Sequence, residues 1–359
     1  MTTLHKFLLP FIVATVLIFT SCSKEDDTIS PNPNETTIET VLTDIGFQGY
    51  AIVTKNGKDL VRQGFGWANQ DTELPQGDNL GYRIGSVTKT LTAATVVQLK
   101  RDGLIQSFDQ TLDEFDTEFP NGDQITIAQL LSHQSGIPEY QLLAEGAYEQ
   151  GETLDEGTIY DLIKELILEN GLEFTPGSNK EYCNSNYLIA ALLVEQVSGM
   201  PYHEYVQQKI FNPLGMSESY KGRDEIDSDT HAQGYLDGSP NSSYPMDIPF
   251  GAGYFSSTPS DMETWTNAVK TDWFTEAERS EILAKDVPSG YVDFGLGWFT
   301  TQEGSTTMYW HGGDINGYWS MIGFIPEYDA TIVLLSNQQD DTGTQRNTII
   351  EHLLTTAFN

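Results

Sequence analysis

Ser86 and Lys89 lie three residues apart at the start of a predicted helix, in the stretch YRIGSVTKTLTA. Residues with this spacing share one face of a helix, and the first-turn amides and helix dipole would stabilise negative charge beside the serine hydroxyl. The spacing therefore favours a serine nucleophile activated by a lysine. The alternative is a capping serine and a solvated lysine, since Ser-x-x-Lys also occurs at Ser21 and Lys24, across the predicted cleavage site, where the two can do nothing together.

Two later stretches supply further polar side chains. NKEYCNSNY places Tyr182 and Asn184 just before an apolar helix, where both could project from a loop into a cleft, although Asn184 could also cap that helix. YWHGGDINGY places His311 at the end of a predicted strand. The two glycines that follow it would let a substrate backbone approach closely, and a turn would explain them equally well.

Together these motifs resemble the serine hydrolase superfamily of class C beta-lactamases, D-alanyl-D-alanine carboxypeptidases, D-aminopeptidases and related esterases. Its motifs follow the order Ser-x-x-Lys, then Tyr-x-Asn, then Lys or His-x-Gly. The resemblance covers almost the whole chain after residue 40, because LLSHQSGIPEY from 130, TPGSNKEYCNSNY from 175, FNPLGMSES from 211, GAGYFSSTPSDM from 251 and FGLGWF from 294 are similar as well.

The resemblance implies three catalytic residues, Ser86, Lys89 and Tyr182. Ser86 would attack a carbonyl, form an acyl-enzyme and be released by water, while Lys89 and Tyr182 would handle the serine proton. Their ordinary pKa values are roughly 10, so burial and mutual charge must shift them for catalysis at neutral pH. Asn184 is expected to bind a substrate amide carbonyl and to hold Lys89 in place.

The resemblance also makes His311, Gly313 and Asp314 substrate-binding residues. The backbone amides of Ser86 and Asp314 would form an oxyanion hole. The Asp314 side chain is expected to point outward, because an inward carboxylate would weaken the hole and repel anionic substrates. Gly312 stands where penicillin-handling relatives often carry a hydroxyl residue that binds a substrate carboxylate, and His311 is similar to the peptidase and esterase branches. Esters or D-amino-acid amides are therefore expected in preference to penicillins.

The resulting interpretation is a serine hydrolase that works through a Ser86 acyl-enzyme on peptide, amide or ester substrates, which include D-amino-acid or cell-wall peptides. The alternatives are a true beta-lactamase and a catalytically idle relative that binds cell-wall peptides. Segments 139–156 and 218–250 are expected to be loops that set specificity. No cofactor is expected, and the scattered histidines form no zinc-binding motif. His133 is interpreted as structural.

The chain begins with a predicted lipoprotein leader, residues 1–21. A weakly basic start precedes an apolar run and small residues, and the run is shorter than the roughly 20 residues of a membrane span. FTSC resembles a lipoprotein box, so Cys22 is predicted to carry a lipid, with a chance cysteine as the alternative. Residues 22–37 then read as a flexible tether. The protein is expected to be exported and lipid-anchored in the bacterial cell envelope, in the periplasm or at the cell surface.

The net charge of the chain excludes some partners. It is -34, and removal of 1–21 takes away Lys6 and no acidic residue, so the mature chain carries one positive charge fewer. This charge would repel nucleic acid, so no nucleic-acid partner is expected. The expected partners are a small-molecule or peptide substrate and the membrane, which the protein would contact only through its lipid. With Cys22 lipidated, Cys183 has no partner for an intramolecular disulfide.

Residues 38–359 are expected to form one domain of α+β class, with an antiparallel sheet flanked by helices and an all-helical subdomain. The Asn56-Gly57 dipeptide predicts a hairpin, which is expected at the edge of a sheet formed by consecutive strands after residue 290. Helical periodicity runs from Ser86 to Arg101. Further helices are predicted at 126–133, 157–169, 185–198, 202–210, 259–270, 276–285 and 344–356.

Overall fold

The computed structural model describes residues 36–227, 229–241, 243–284, 292–340 and 342–358. The predicted leader, Cys22 and most of the predicted tether lie outside these residues. Thr36–Asn359 form one compact unit. Across the described ranges, no helix combines the length and the apolar character that a membrane crossing needs.

The structure contains one seven-stranded sheet, three small sheets and a set of helices among the described residues. The strands are β1 (Gly49–Lys55), β2 (Lys58–Phe65), β3 (Trp67–Asn69), β4 (Leu74–Pro75), β5 (Tyr82–Arg83), β6 (Tyr220–Lys221), β7 (Tyr235–Leu236), β8 (Ser239–Pro240), β9 (Phe255–Ser257), β10 (Val292–Phe294), β11 (Phe299–Glu303), β12 (Thr306–Ile315), β13 (Tyr318–Ile325) and β14 (Ala330–Ser336). The helices are α1 (Ile38–Asp44), α2 (Thr88–Arg101), α3 (Ile127–Leu131), α4 (Gln141–Glu149), α5 (Glu156–Asn170), α6 (Ser185–Ser198), α7 (Tyr202–Val206), α8 (Asn212–Leu214), α9 (Pro259–Lys270), α10 (Glu276–Ile282) and α11 (Thr344–His352).

The large sheet is antiparallel and has the order β10-β11-β12-β13-β14-β1-β2. Asn56 and Gly57 both have positive φ, at 50° and 71°, as the turn of the β1–β2 hairpin requires. Strand β1 pairs with β14, so that Gly49 lies opposite Ser336. The predicted pairing of the opening hairpin with the C-terminal strands is therefore confirmed.

Both faces of this sheet are buried, because alternate residues of its inner strands enter two different cores. Ile332 and Leu334 of β14 pack in a core that contains residues of α1 and α11, including Leu42 and Ile349. Val333 and Leu335 enter the larger core, which contains the apolar residues of α2, α6 and α9. This alternation is the period of two that a β-strand imposes, and it fixes the register of the sheet between two helical layers.

Most predicted helices are present, and several boundaries differ. The helices over 185–198 and 259–270 have the predicted bounds. The helix predicted over 202–210 ends at Val206 and continues as a π-helical turn, and the last helix ends at His352 with a similar turn after it. The helix predicted to start at Ser86 starts at Thr88, after a separate 3₁₀ turn.

Helices α1, α4 and the short α8 were absent from the sequence-based expectations. Segment 139–156, expected to be a loop, contains α4. Its apolar face is not buried, since Leu142 is 81% exposed and Ala144 is its one buried residue. In the sequence, Gly146 inside this segment and Gly151 after it favour a loop. Helix α1 is short and begins directly after the polar segment, with Thr37 Oγ1 accepting the amide of Thr40 as its cap.

Gly49 offers a test of the sheet register, because its backbone allows no side chain. Its φ is +154°, and a Cβ would lie 2.1 Å from the carbonyl oxygen of Leu335 on β14. Gly49→Ala should therefore lower the free energy of unfolding by about 3 kcal/mol, through strain and overpacking together. Gly46→Ala is the matched control, since φ is +70° but nothing lies within 4 Å, and it should lower this free energy by only about 1 kcal/mol. Equal losses in urea unfolding would contradict the pairing of β1 with β14.

Candidate active site

Ser86 lies in a 3₁₀ turn, Gly85–Val87, directly before α2. The N-cap residue of this turn is Ile84 and that of α2 is Val87, and no side chain caps either of them. Ser86 is therefore not a helix cap, which was the alternative to a nucleophile. Gly85 has a φ of +49°, a conformation that glycine adopts without steric cost, so this residue lets the chain turn sharply just before the serine.

Lys89 is completely buried in the first turn of α2 and lies beside Ser86. Its Nζ is 3.0 Å from Ser86 Oγ, 2.7 Å from Asn184 Oδ1 and 2.9 Å from the carbonyl oxygen of Ala252. These three acceptors match the three hydrogens of an ammonium group. The interpretation of Lys89 as a solvated surface residue is thus wrong.

Burial lowers the pKa of Lys89 to about 7, because desolvation disfavours the ammonium form. The carboxylate of Glu139 acts against this effect and raises the pKa. A large fraction of Lys89 is therefore an uncharged amine at neutral pH. Such an amine has a free electron pair and can accept a proton from a neighbouring hydroxyl.

Asn184 occupies the capping position of α6, but its side chain does not cap that helix. Its Oδ1 accepts a hydrogen bond from Lys89, and its Nδ2 donates to Gln141 Oε1 at 2.7 Å. Because the amide nitrogen is held by Gln141, the oxygen must face Lys89. Asn184 thus contacts Lys89 in the way that the sequence-based interpretation expects.

Tyr182 lies next to both Ser86 and Lys89. Burial raises the pKa of its phenol, and a side-chain hydrogen bond with Ser86 acts in the opposite direction. Lys89 Nζ is 4.8 Å from the centroid of the Tyr182 ring. The centroid of the His133 ring is 4.5 Å from that of the Tyr182 ring. The side chain is 36% exposed, so Tyr182 connects the buried lysine with the surface of the site.

Strand β12 passes directly behind Ser86, and two glycines permit this approach. A Cβ on Gly313 would lie 2.1 Å from the carbonyl oxygen of Ile84 and 2.9 Å from the amide nitrogen of Ser86. A Cβ on Gly85 would in turn lie 2.9 Å from the amide nitrogen of Asp314. The amides of Ser86 and Asp314 therefore come from two neighbouring backbone segments, as an oxyanion hole requires.

A cleft of about 340 Å³ opens over Ser86. Both segments expected to set specificity contribute to its walls, since Gln141 and Glu145 come from α4, and Tyr244 and Pro249 come from the second segment. The remaining wall residues are Ser86, Asn184, Ala252, Gly253, Asp314, Ile315, Asn316 and Gln339. The described residues contain no group of three or more His, Cys, Asp or Glu side chains that could hold a metal ion.

Comparisons with known proteins decide the family. A family model described as Beta-lactamase matches residues 35–355. The chain belongs to the beta-lactamase family. Penicillin-binding protein 4* of Bacillus subtilis (strain 168) is 26% identical over 346 residues, which are 89% of this chain and 75% of that protein. Membership of this family supports serine hydrolase activity in general.

Solved structures of the same fold confirm the predicted fold class. A penicillin binding protein from Bacillus halodurans has a TM-score of 0.73 and 25% identity, and covers 88% of this chain and 98% of its own. The D-amino acid amidase from Ochrobactrum anthropi SV3 also has a TM-score of 0.73, with 23% identity over 88% of this chain and 99% of its own. The antiparallel sheet with flanking helices is thus a beta-lactamase-family architecture.

Not every residue predicted for the site reaches the cleft. His311 is buried, its ring stacks on Phe299 at 4.4 Å between centroids, and its Nδ1 lies 2.6 Å from the carbonyl oxygen of Gly312. Burial, together with the charge of Lys89, lowers the pKa of His311 to about 3, so the ring is neutral. Its role in substrate binding stays a prediction, while Ser86 and Asp314 do line the cleft.

His133, interpreted from the sequence as structural, and the buried Cys183 both support the loop that contains Tyr182. His133 is buried, and its Nδ1 accepts the backbone amide of Cys183 at 3.1 Å, which fixes the loop that contains the Tyr-x-Asn motif. The Cys183 thiol is buried and donates to the carbonyl oxygen of Ile137 at 3.2 Å. Burial raises its pKa to about 12, so this thiol stays protonated and unreactive.

Sequence analysis missed Glu139, which joins two parts of the site. One of its carboxylate oxygens accepts the amide of Asn184 at 2.6 Å, and the other accepts the amide of Gln141 at 3.0 Å. Glu139 therefore fixes the start of α4 to the loop before α6, and it also raises the pKa of Lys89. Its position in the family-like stretch LLSHQSGIPEY was the available signal, but no residue spacing linked it to Lys89.

Gly313→Ala tests the approach of β12 to Ser86. The added Cβ would meet the carbonyl oxygen of Ile84 and must push β12 away, which separates the two oxyanion amides. We expect the rate of covalent labelling of Ser86 by a fluorophosphonate to fall roughly 10² to 10³-fold, as it does when an oxyanion donor is lost. Gly304→Ala, in the turn between β11 and β12 with open space around it, should label at the original rate. Normal labelling of a folded Gly313→Ala protein would argue against these two amides as the hole.

Proposed function

We propose that this chain is a serine hydrolase that forms an acyl-enzyme at Ser86 on amide, peptide or ester substrates. The observation that carries the proposal is the position of Lys89, buried and 3.0 Å from the Ser86 hydroxyl. A lysine with this pKa and this neighbour is a general base at neutral pH. An idle binding protein would have no need for a buried amine beside a partly exposed serine.

The hydrogen-bond partners of Lys89 indicate how the proton moves. In the neutral amine, two hydrogens remain for Asn184 Oδ1 and the carbonyl oxygen of Ala252. The lone pair then points to the third partner, the Ser86 hydroxyl. As Ser86 Oγ attacks the carbonyl carbon, its proton passes to Lys89 Nζ, and the ammonium formed regains all three acceptors. The negative charge on the former carbonyl oxygen would lie between the amides of Ser86 and Asp314.

Tyr182 completes the proposed proton path. Because burial raises the pKa of its phenol, Tyr182 is protonated at neutral pH and is a poor first base. It can instead donate its proton to the leaving group, which departs as the tetrahedral intermediate collapses, and recover a proton from Lys89. Water then attacks the acyl-enzyme with Lys89 as base, which returns Ser86 to its free form.

We also propose a preferred substrate class and a cellular location, which family membership alone does not give. Esters and D-amino-acid amides are the preferred substrate classes, because Gly312 offers no hydroxyl for a substrate carboxylate. A lipid anchor at Cys22 in the bacterial cell envelope rests on the sequence of the leader, which lies outside the described residues. Relatives of this chain include bacterial penicillin-binding proteins, which agrees with such a location.

Intact-protein mass after treatment with a fluorophosphonate tests the nucleophile. We expect one adduct on the unaltered protein and none on Ser86→Ala, because only a serine beside a base reacts with this probe. Ser280→Ala, which removes an exposed hydroxyl of α10, is the matched control and should react like the unaltered protein. If the folded protein gives no adduct, the proposal of a serine hydrolase is wrong, and the alternative of a catalytically idle binding protein takes its place.

The dependence of kcat/KM on pH tests the role of Lys89. The amine is competent only when uncharged, so kcat/KM for a neutral ester should rise with pH and level off above about 7, where the pKa of Lys89 lies. Below that value, the rate should fall roughly tenfold per pH unit. A rise that continues beyond pH 9 would show that the base keeps the ordinary pKa of an exposed lysine.

Glu139→Gln provides the variant for the same pH profile. The carboxylate of Glu139 favours the ammonium form of Lys89, so its removal should move the midpoint of the profile to lower pH. A residue that acted only through its backbone hydrogen bonds would lower the plateau rate and leave the midpoint in place. The direction of the midpoint shift therefore separates the electrostatic effect of Glu139 from its structural one.

A further inference from the structure

The charged side chains of the cleft wall all have the same sign. Glu145 and Asp314 line the cleft, and no Lys or Arg is found among the described residues that line it. Glu145 Oε1 accepts hydrogen bonds from Tyr244 and Gln141, at 2.7 Å and 2.9 Å, which fix it in place. A substrate carboxylate would therefore meet two carboxylates and would need a cation to offset them.

Arg346 is a cation close to this wall, and it lies where a side chain of residue 312 would be. A Cβ on Gly312 would lie 2.8 to 2.9 Å from three atoms of the Arg346 guanidinium. Gly312 thus makes room for an arginine from α11. The Arg346 side chain is 14% exposed, and its Cζ lies 5.8 Å from the centroid of the Trp319 ring, so its position is fixed by packing.

The guanidinium is occupied by Asp314. Arg346 Nη2 donates to both carboxylate oxygens of Asp314, each at 2.6 Å. The Asp314 side chain is 44% exposed, and Arg346 Nε has no hydrogen-bond partner among the described residues. Arg346 therefore has a donor that is still unused. The carboxylate bound to Arg346 belongs to Asp314, whose backbone amide is also assigned to the oxyanion hole.

Arg346 is close enough to influence the reacting groups. Its positive charge lowers the pKa of Tyr182 and that of His311, whereas the charge of Asp314 raises the pKa of Tyr182. The two charges of the pair therefore act on Tyr182 in opposite directions. A substrate carboxylate that entered the site would have to displace Asp314 from Arg346 before it gained a charge-assisted hydrogen bond.

We propose that Asp314 is a specificity-determining residue, whose carboxylate occupies Arg346 and so keeps carboxylate-bearing substrates out of the cleft. The inference rests on the proposed hydrolase function and names its substrate class: acyl donors that are neutral or cationic near the reacting carbonyl. Asp314 has two separate functions in this arrangement, since its amide faces the oxyanion and its side chain selects by charge. Replacement of the carboxylate should release the arginine for a substrate anion.

The experiment compares pairs of esters that differ by one carboxylate. On the acyl side, the pair is the mono-4-nitrophenyl ester of glutaric acid and 4-nitrophenyl butyrate. On the leaving-group side, it is the acetyl esters of 3-hydroxybenzoate and 3-hydroxybenzamide. The quantity measured is the ratio of kcat/KM for the anionic ester to kcat/KM for the neutral one, which cancels changes common to both, such as a disturbed oxyanion hole.

Asp314→Asn should raise this ratio roughly tenfold for at least one pair, the gain expected when a charged hydrogen bond becomes available. The rise should disappear in the double variant Asp314→Asn with Arg346→Gln. Asp59→Asn is the matched control, because Asp59 is paired with Arg62 at 3.0 Å outside the cleft wall, and its loss changes the net charge equally. The Asp59→Asn ratio should equal that of the unaltered protein.

Arg346→Gln alone gives a second measurement if Asp314→Asn fails to fold. It leaves the Asp314 carboxylate uncompensated, so the ratio should fall. An unchanged ratio for both substrate pairs in a folded variant overturns the proposal, as does a rise that persists in the double variant. These results differ from a failure of the hydrolase function itself, in which the unaltered protein would hydrolyse neither ester of a pair and would give no fluorophosphonate adduct.

Discussion

Lys89 is buried beside the partly exposed Ser86, and a buried amine is unfavourable unless its hydrogen bonds are satisfied. Its three acceptors come from the turn before α2, the loop before α6 and the segment before β9. These three parts of the chain must therefore meet at one point. Other hydrogen bonds help to keep these segments together. Gln141 accepts a hydrogen bond from the side-chain amide of Asn184, and the Glu139 carboxylate accepts two backbone amides.

The reactivity of the site follows from the same burial. Desolvation lowers the pKa of Lys89 and raises that of the Tyr182 phenol, so a large fraction of Lys89 and the whole of Tyr182 are uncharged at neutral pH. A neutral amine beside a neutral phenol is a stable arrangement in a site of low polarity, and it has both a proton acceptor and a proton donor next to Ser86. One physical effect thus gives two groups opposite roles.

Sequence reasoning predicted those parts of the fold and the site that depend on short-range patterns. The helix over 185–198 and the hairpin at Asn56-Gly57 depend on local periodicity and turn chemistry, and the three motifs are each contained in a few residues. Helix α4 was missed because Gly146 inside it and Gly151 after it favour a loop. Glu139 and Arg346 were missed for another reason: each acts on a residue far away in sequence, and only the fold brings them together.

The separation of the partners along the chain has a consequence for folding. Lys89 and Asn184 are 95 residues apart, and Lys89 and Ala252 are 163 apart. Before these distant segments come together, Ser86 is an ordinary hydroxyl and Lys89 an ordinary protonated lysine in water. Contacts of such long range form late in folding, because closing the long loop between the two residues costs conformational entropy. The proposed reactivity is thus a property of the completed fold, and an incomplete or unfolded chain lacks it.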